Sequence, residues 1–279
     1  MLSVKIVADS SADMLTLDGI SFTSVPLKII TAEREYVDDA DLDVEGMIKD
    51  LDAYKGKSST ACPSPADWLA AFGDVELVFC VAITSSLSGS CNAAKIAKRD
   101  YEELHPDRRV CVIDSLSAGP ELRLIVEKMA EMVEAGCEFE EICEKIEEYR
   151  KHNTGLVFML ESLKNLANNG RVSPLAAKAA GLLGLRLVGK ASDRGTLEPL
   201  EKCRGERRAL EAIRRTMQEL GACGGKIRIC HACNLPAAQA LKALLEEIWN
   251  AADIQISRCR GLCSFYAERG GILIGFEKN

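Results

Sequence analysis

The sequence predicts an α/β protein made of two α/β domains, with a mainly parallel sheet in the N-terminal domain. Three observations support this prediction. Short apolar runs recur along the chain, segments with helical periodicity lie between several of them, and the pattern breaks and restarts once near residues 151–155. A chain of 279 residues with 47% hydrophobic residues is long enough for two modest domains.

The predicted strands are short and apolar over their whole length. They are expected at residues 4–8, 77–83, 110–113, 156–160, 227–230 and 254–256. Apolar runs of this kind are typical of strands that are buried on both faces, as in a parallel sheet covered by helices.

The predicted helices have apolar residues on one side only. The clearest examples are expected at residues 121–135, 140–149 and 237–249. Gly136 is the expected C-cap of the first helix, and Asn234 is the expected N-cap of the third. We place the domain boundary where the pattern breaks, so residues 1–153 form one α/β domain and residues 154–279 form the other.

Charge and hydropathy exclude several classes of partner. There are 35 Lys and Arg residues against 42 Asp and Glu residues, and the net charge is -7. No basic stripe could neutralise a run of phosphates, so no nucleic-acid partner is expected. The chain shows no signal peptide and no transmembrane run, so we expect a cytoplasmic protein without integral membrane association.

Twelve cysteines are spread through the chain, and most are expected to be buried thiols. Cys230, Cys233, Cys259 and Cys263 deserve separate consideration, because paired thiolates near His231 are the ingredients of a zinc site. Their spacing is looser than in zinc ribbons, so we predict strand ends and core packing rather than a metal site.

Hydroxyl-rich and acidic loops follow several predicted strands. Their polar residues include Asp9, Ser10, Ser59, Ser86, Gly89, Ser90, Asp114 and Ser115. The carboxyl ends of parallel strands meet at one edge of a sheet, so these loops predict one shared polar cleft. A serine-rich turn before a helix suits a carboxylate or phosphate, although an ordinary N-cap turn has the same sequence.

Catalysis by this cleft is not indicated. His105 and His152 lie in polar connecting segments, which leaves His231 as the one plausible base. No GxSxG elbow and no Walker loop occurs in the sequence.

The order of the motifs resembles the DegV family of bacterial fatty-acid-binding proteins over the whole chain. The motifs are ADSSAD, VPL, STACPSP, SSLSGS, VIDS, LKNLANNGRVS, CRGERRA and ICHACN. The resemblance implies two α/β domains with an acyl chain in a tunnel between them. It also implies a protein that is not an enzyme and needs no cofactor. Such a protein presents the carboxylate of a long-chain fatty acid to a separate ATP-dependent fatty acid kinase, which makes acyl-phosphate for phospholipid synthesis.

The resemblance also implies roles for individual residues. The family's two carboxylate-binding hydroxyls fall on Thr60 and Ser88, and its docking surface for the kinase falls on Arg204 and Arg171. The histidine of the family's HxGxG motif is replaced by Tyr266, which still offers a hydroxyl to the carboxylate.

Other departures from the family affect the expected tunnel. Glu121 and Arg123 stand where small residues are typical, and Arg186 and Leu187 replace a lysine-proline pair. These side chains are expected to narrow or reshape the tunnel, and Arg123 could supply a further contact for an anion.

Two other functions fit the same cleft. The chain could be an enzyme acting on a small phosphorylated or esterified metabolite, with Ser88 as the nucleophile. It could also be a regulatory module whose ligand is not a lipid.

Overall fold

The computed structural model describes residues 2–173 and 184–279 of the chain. The first half contains strands β1 (Val4–Asp9), β2 (Ser21–Val25), β3 (Lys28–Ile30), β4 (Glu35–Val37), β5 (Ser59–Ala61), β6 (Leu77–Ala82) and β7 (Arg109–Asp114), and helices α1 (Val44–Ala53), α2 (Pro65–Phe72), α3 (Ser90–Leu104), α4 (Pro120–Glu134) and α5 (Phe139–Glu148).

The second half continues the alternation of strands and helices. Its described elements are β8 (Thr154–Leu160), α6 (Lys164–Asn168), β9 (Leu185–Ala191), β10 (Leu197–Arg204), α7 (Glu206–Glu219), β11 (Ala222–His231), α8 (Leu235–Glu246), β12 (Asp253–Arg258), α9 (Gly261–Ala267) and β13 (Ile272–Lys278). All six predicted strands are present, and they correspond to β1, β6, β7, β8, β11 and β12.

The first sheet has four parallel strands in the order β2-β1-β6-β7. Ile6, Phe79 and Ile113 pack on one face against α4 and α5, and Val7 and Val78 pack on the other face against α2 and α3. Because helices cover both faces, nearly every side chain of the inner strands is buried. This explains the continuous apolar runs in the sequence.

The second sheet has six strands in the order β10-β9-β8-β13-β11-β12. Only β11 and β12 pair in parallel, and the other neighbours are antiparallel. Val157 and Met159 face α7 and α8, whereas Phe158 and Leu160 point to the opposite face. The alternation along β8 therefore leaves a second apolar face that α7 and α8 do not cover.

The third sheet is a small antiparallel unit, β4-β3-β5, which the sequence did not predict. Its Ile29 and Tyr36 pack with Met47 of α1 and with Phe265 of α9. A helix from the end of the chain thus contacts a sheet from its beginning. This contact decides where α9 presents its side chains.

The predicted helix ends are partly confirmed. Gly136 has a φ of +74°, and its N–H donates to Val133 at 3.0 Å while that of Cys137 donates to Met132 at 3.1 Å. These two bonds form the Schellman motif that a glycine C-cap predicts. Asn234 precedes α8 as expected, but its side chain does not cap that helix. It donates instead to Glu206 and to the carbonyl oxygen of Gly270.

Candidate functional site

An apolar cavity lies between the first sheet and the uncovered face of the second. It encloses about 700 Å³ of space between atoms, with its open mouth included. Its apolar lining residues are Leu27, Ile83, Leu87, Ala118, Leu156, Phe158, Leu160, Leu166, Leu197, Leu262, Cys263, Ala267 and Leu273. The described polar lining residues are Thr60, Ser88, Arg171 and Tyr266.

Three of the polar groups are joined to one another. The hydroxyls of Thr60 and Tyr266 lie 2.7 Å apart, and the guanidinium carbon of Arg171 lies 5.6 Å from the centre of the Tyr266 ring. Nε of Arg171 donates to the carbonyl oxygen of Leu87, the neighbour of Ser88, at 3.1 Å. The polar residues of the lining therefore gather at one end of an otherwise apolar cavity.

Backbone pairing and a tight loop place the two predicted hydroxyls. Thr60 lies in β5 opposite Ile29 of β3. Ser88 lies in the loop between β6 and α3, where its N–H donates to Thr84 at 3.2 Å and its Oγ accepts from the N–H of Ser90 at 3.3 Å. The sequence loops that predicted an anion site do carry two hydroxyls into this cavity.

Arg171 lines the cavity, although the sequence resemblance placed it with the docking surface. Its Nη1 donates to the carbonyl oxygen of Asn169 at 2.7 Å, and its Nε is bonded to Leu87. Nη2 has no hydrogen-bond partner within residues 2–173 and 184–279. Arg204, the other predicted docking residue, is exposed at the end of β10 and does not line the cavity.

Two buried carboxylic acids hold the start of α9, the helix that carries Tyr266. Asp38 accepts from the N–H groups of Gly261 at 2.8 Å and Leu262 at 2.9 Å. Asp13 accepts from the N–H of Arg260 at 2.8 Å. These bonds satisfy helix donors that would otherwise be buried without a partner. Asp13 and Asp38 belong to the first half of the chain, so hydrogen bonds between the two halves position the helix that carries Tyr266.

Burial affects the ionisation of both acids. It raises the pKa of Asp38, and it raises the pKa of Asp13 to about 7.

The sequence analysis did not select Asp13 or Asp38 as site residues. Asp38 directly follows β4, so the strand-end argument that selected Asp9 would have found it if β4 had been predicted.

The phenol of Tyr266 is half-buried. Burial raises its pKa, while the hydrogen bond to Thr60 and the charge of Arg171 act in the opposite direction. The side chain is therefore a neutral phenol near neutral pH, which donates one hydrogen bond. Together with Thr60, Ser88 and Arg171 it forms an end of the cavity suited to an anion.

Asp9 and Ser10 shape the loops around the cavity rather than line it. Asp9 is fully buried and accepts from the N–H of Ile83 at 2.9 Å and from Oγ of Ser90 at 2.6 Å. Oγ of Ser10 accepts from the N–H of Leu27 at 3.0 Å. These bonds tie the ends of β1 and β6 to α3 and β3.

The other predicted loop residues also lie outside the lining. Asp114 accepts from the N–H groups of Ser85 and Leu116, and the hydroxyl of Ser115 donates to the carbonyl oxygen of Ser117. Oγ of Ser86 donates to the carbonyl oxygen of Arg194. Ser59 is exposed on β5, and Gly89 precedes α3 with an ordinary φ of -77°.

Arg123 and His231 are placed away from the polar end of the cavity. Nε of Arg123 pairs with Glu127 at 2.7 Å, and its Nη2 donates to Gln255 at 2.9 Å. His231 is buried, and its Nδ1 accepts from the N–H of Asn234 at 3.3 Å. Burial, and then the charge of Arg258, lower the pKa of His231. Neither residue lines the apolar cavity.

The four cysteines considered for zinc do not form a metal site in the part of the chain that the structure describes. Cys230, Cys259 and Cys263 are buried, and Cys233 is exposed. Burial raises the pKa of the three buried thiols, and the neighbouring Asp13 raises it further. They remain thiols and pack as small core side chains.

The residues Arg186 and Leu187, which depart from the family pattern, lie at the start of β9. Nη2 of Arg186 pairs with Glu161 at 2.8 Å, and Leu187 is buried in the core beside Phe158. Neither side chain lines the apolar cavity.

Fold and cavity together define the class of protein. It is an α/β protein with an internal apolar cavity whose polar end suits an anion, which is the form of a site for an amphipathic small molecule. The sequence model of the DegV family, described as "Uncharacterised protein, DegV family", matches residues 3–279. The chain belongs to the DegV family.

Close relatives come from several bacteria. A DegV domain-containing protein of Streptococcus pneumoniae strain R6 is 44% identical over 277 residues, which is 98% of each chain. A DegV family protein from Eubacterium eligens, solved with heptadecanoic acid, is 43% identical with a TM-score of 0.97, covering 99% of this chain and all of that one.

The fatty acid kinase (Fak) B3 protein of Streptococcus pneumoniae was solved with linoleic acid. It is 44% identical with a TM-score of 0.97, and each chain is fully covered. In the described residues of the present chain, no helix has the length and hydropathy needed to cross a bilayer.

Proposed function

We propose that this chain binds a long-chain fatty acid and presents its carboxylate to a separate ATP-dependent fatty acid kinase. The observation that carries the proposal is the single polar end of the cavity, where Thr60, Ser88, Arg171 and Tyr266 gather while the remaining lining is apolar. A molecule with one anionic head and a long apolar tail matches this distribution.

Burial of the acyl chain supplies the binding free energy. A buried methylene contributes about 0.8 kcal/mol, so a sixteen-carbon chain gains on the order of 10 kcal/mol before ordering costs are subtracted. The side chains of Leu156, Phe158 and Leu160 all face the cavity along β8, which offers the tail a continuous apolar wall.

The carboxylate is held by hydroxyl groups and one cation. Thr60, Ser88 and Tyr266 donate hydrogen bonds, and Nη2 of Arg171 adds a charge at the same end. Hydroxyl donors hold a carboxylate without a buried counter-charge of their own. Arg171 is partly exposed in the lining of the open cavity, so its guanidinium group loses only part of its hydration.

The chemical step belongs to the partner. His231 does not line the cavity, so Ser88 has no histidine base in the described lining. The chain thus acts as a lipid carrier without a cofactor of its own, and the kinase makes the acyl-phosphate that enters phospholipid synthesis in the cytoplasm. Exposed Arg204 suits recognition of an acidic patch on the kinase.

Extraction of lipid from the purified protein tests the proposal. Protein purified from bacterial cells is expected to release one fatty acid per chain in mass spectrometry, and native mass spectrometry is expected to show the matching mass difference. Purified protein that carries no lipid and takes up none from solution would reject the proposal. ATP hydrolysis or ester cleavage by the protein alone would favour the enzyme reading.

A further inference from the structure

A second cavity adjoins the apolar one. It encloses about 1070 Å³, again with the open mouth included. Leu156 lines both cavities. The second cavity is formed where the loop after β7 meets the start of β8 and the end of β9. It is separate from the polar end that contains Thr60 and Tyr266.

Basic side chains line this cavity from three elements. Arg150 and Lys151 belong to the turn before β8, Lys190 lies in β9, and Lys278 lies at the end of β13. The exposed Asp193 is one of two acids in the described lining. The net charge of the chain is -7, whereas the lining of this cavity has four cationic side chains and is locally positive.

Two of these cations are already paired. Nη2 of Arg150 lies 2.6 Å from Glu147, and Nζ of Lys190 lies 3.7 Å from Glu198. The ammonium groups of Lys151 and Lys278 have no carboxylate within 4.0 Å among residues 2–173 and 184–279. Lys151 and Lys278 are therefore cations of the lining that form no ion pair with a described carboxylate.

Glu121 is the second acid of the lining. It is buried, and Oγ1 of Thr154 donates to its Oε1 at 2.9 Å. Burial raises the pKa of Glu121, while hydrogen bonds from Ser117 and Thr154 and the charges of Lys278 and Arg150 act in the opposite direction. The described lining therefore has two carboxyl groups against four cationic side chains.

We propose that this cavity is a second ligand site, which takes a small phosphorylated anion. Lysine ammonium groups bind phosphate as point charges, and the guanidinium of Arg150 adds planar donors. Cations that approach from separate elements suit a ligand with several anionic oxygens better than a single carboxylate. A ligand bound here would lie beside Leu156, which also lines the apolar cavity.

Isothermal titration with inorganic pyrophosphate tests the site. The variant Lys151→Gln/Lys278→Gln removes the two unpaired charges, and Lys57→Gln/Lys164→Gln removes two exposed lysines that do not line the cavity. Both variants change the net charge equally. We expect pyrophosphate to bind the unaltered protein, and its Kd to rise at least tenfold in the first variant and less than twofold in the second.

Three further probes identify the chemistry that is recognised. Inorganic phosphate, phenyl phosphate and acetate are titrated under the same conditions. If phenyl phosphate binds at least as tightly as inorganic phosphate, the ligand of this site is a phosphate ester. If inorganic phosphate binds more tightly, the ligand is free phosphate. The proposal is overturned if pyrophosphate gives no saturable binding, if acetate binds as tightly, or if both lysine variants lose affinity equally.

Discussion

The hydroxyls of Thr60 and Tyr266 lie 2.7 Å apart although 206 residues separate them in the chain. Thr60 is placed by the pairing of β5 with β3, and Tyr266 is placed by the packing of α9 against the same small sheet. One of the two hydroxyls donates to the other. Under the proposed function, both hydroxyls would donate to the bound carboxylate, and a hydrogen bond to a charged acceptor is the stronger one.

Removal of two predicted carboxylate donors should weaken lipid retention. A hydrogen bond to a charged group contributes roughly 1.5–3 kcal/mol, so Thr60→Ala/Ser88→Ala should raise the Kd for a long-chain fatty acid at least tenfold. The matched control is Ser59→Ala/Ser85→Ala, which removes two exposed hydroxyls from the same strand and loop. Equal retention by both variants in a fluorescent competition assay would place the carboxylate elsewhere.

Tyr266→Phe isolates the phenol hydroxyl, because the ring and its packing are kept. We expect the Kd for a fatty acid to rise about tenfold, whereas the Kd for the alcohol of equal chain length changes less, since the lost bond is stronger to a carboxylate. Tyr266→His, which restores a donor of the family pattern, should recover most of the affinity. A similar loss for acid and alcohol would mean that the variant disturbs the tail rather than the head.

Asp38→Ala should destabilise α9 and, through it, the position of Tyr266. The change leaves the buried N–H groups of Gly261 and Leu262 without their acceptor, so the free energy of unfolding should fall by roughly 3 kcal/mol in a urea titration. Exposed Asp41→Ala removes an equal charge from the same segment and is expected to have little effect. Equal stability of the two variants would show that Asp38 does not hold the helix.

Asp13 predicts a specific dependence of stability on pH. Its pKa is about 7 in the folded protein against an ordinary value of 3.8, so the folded state binds the proton more tightly and stability falls as the pH rises through this window. Asn at this position keeps an acceptor for the Arg260 N–H and tolerates the φ of +55°.

The comparison of Asp13→Asn with the unaltered protein isolates this effect, because Asp9, Asp38 and Glu121 titrate in both. Each pKa unit corresponds to about 1.4 kcal/mol, so the variant should gain roughly 2–3 kcal/mol relative to the unaltered protein between about pH 5 and about pH 8. Denaturant titrations at several pH values measure this difference. A difference that does not change with pH would mean that Asp13 is ionised throughout.

Arg204 should matter only in the presence of the kinase. Arg204→Ala is expected to keep its lipid, because the residue does not line the cavity, and to lose most kinase-coupled formation of acyl-phosphate. Arg99→Ala is the control, since Arg99 is an exposed arginine on α3. A variant that loses lipid as well as coupling would move Arg204 from the docking surface into the ligand site.

Some strands could be predicted from the sequence and others could not. Strands β1, β6, β7 and β8 read as apolar runs because burial on both faces leaves no room for polar side chains. Strands β3, β4 and β5 have three residues each, which is too short for any periodicity. The edge strand β10, LEPLEKCR, contains a proline and has mostly exposed side chains, so its pattern resembles a loop.

By itself the sequence determined the α/β class, the order of the main strands, the family resemblance and the presence of hydroxyl-rich loops. Tertiary structure alone decided which of these polar groups meet. Arg171 enters the cavity lining, where its Nε donates to the carbonyl oxygen of Leu87. Tyr266 reaches Thr60 because Asp13 and Asp38 hold α9 from the other half of the chain. A local sequence pattern shows which side chains are buried and where turns occur. Contacts between residues 84 to 247 positions apart depend instead on how the sheets pack.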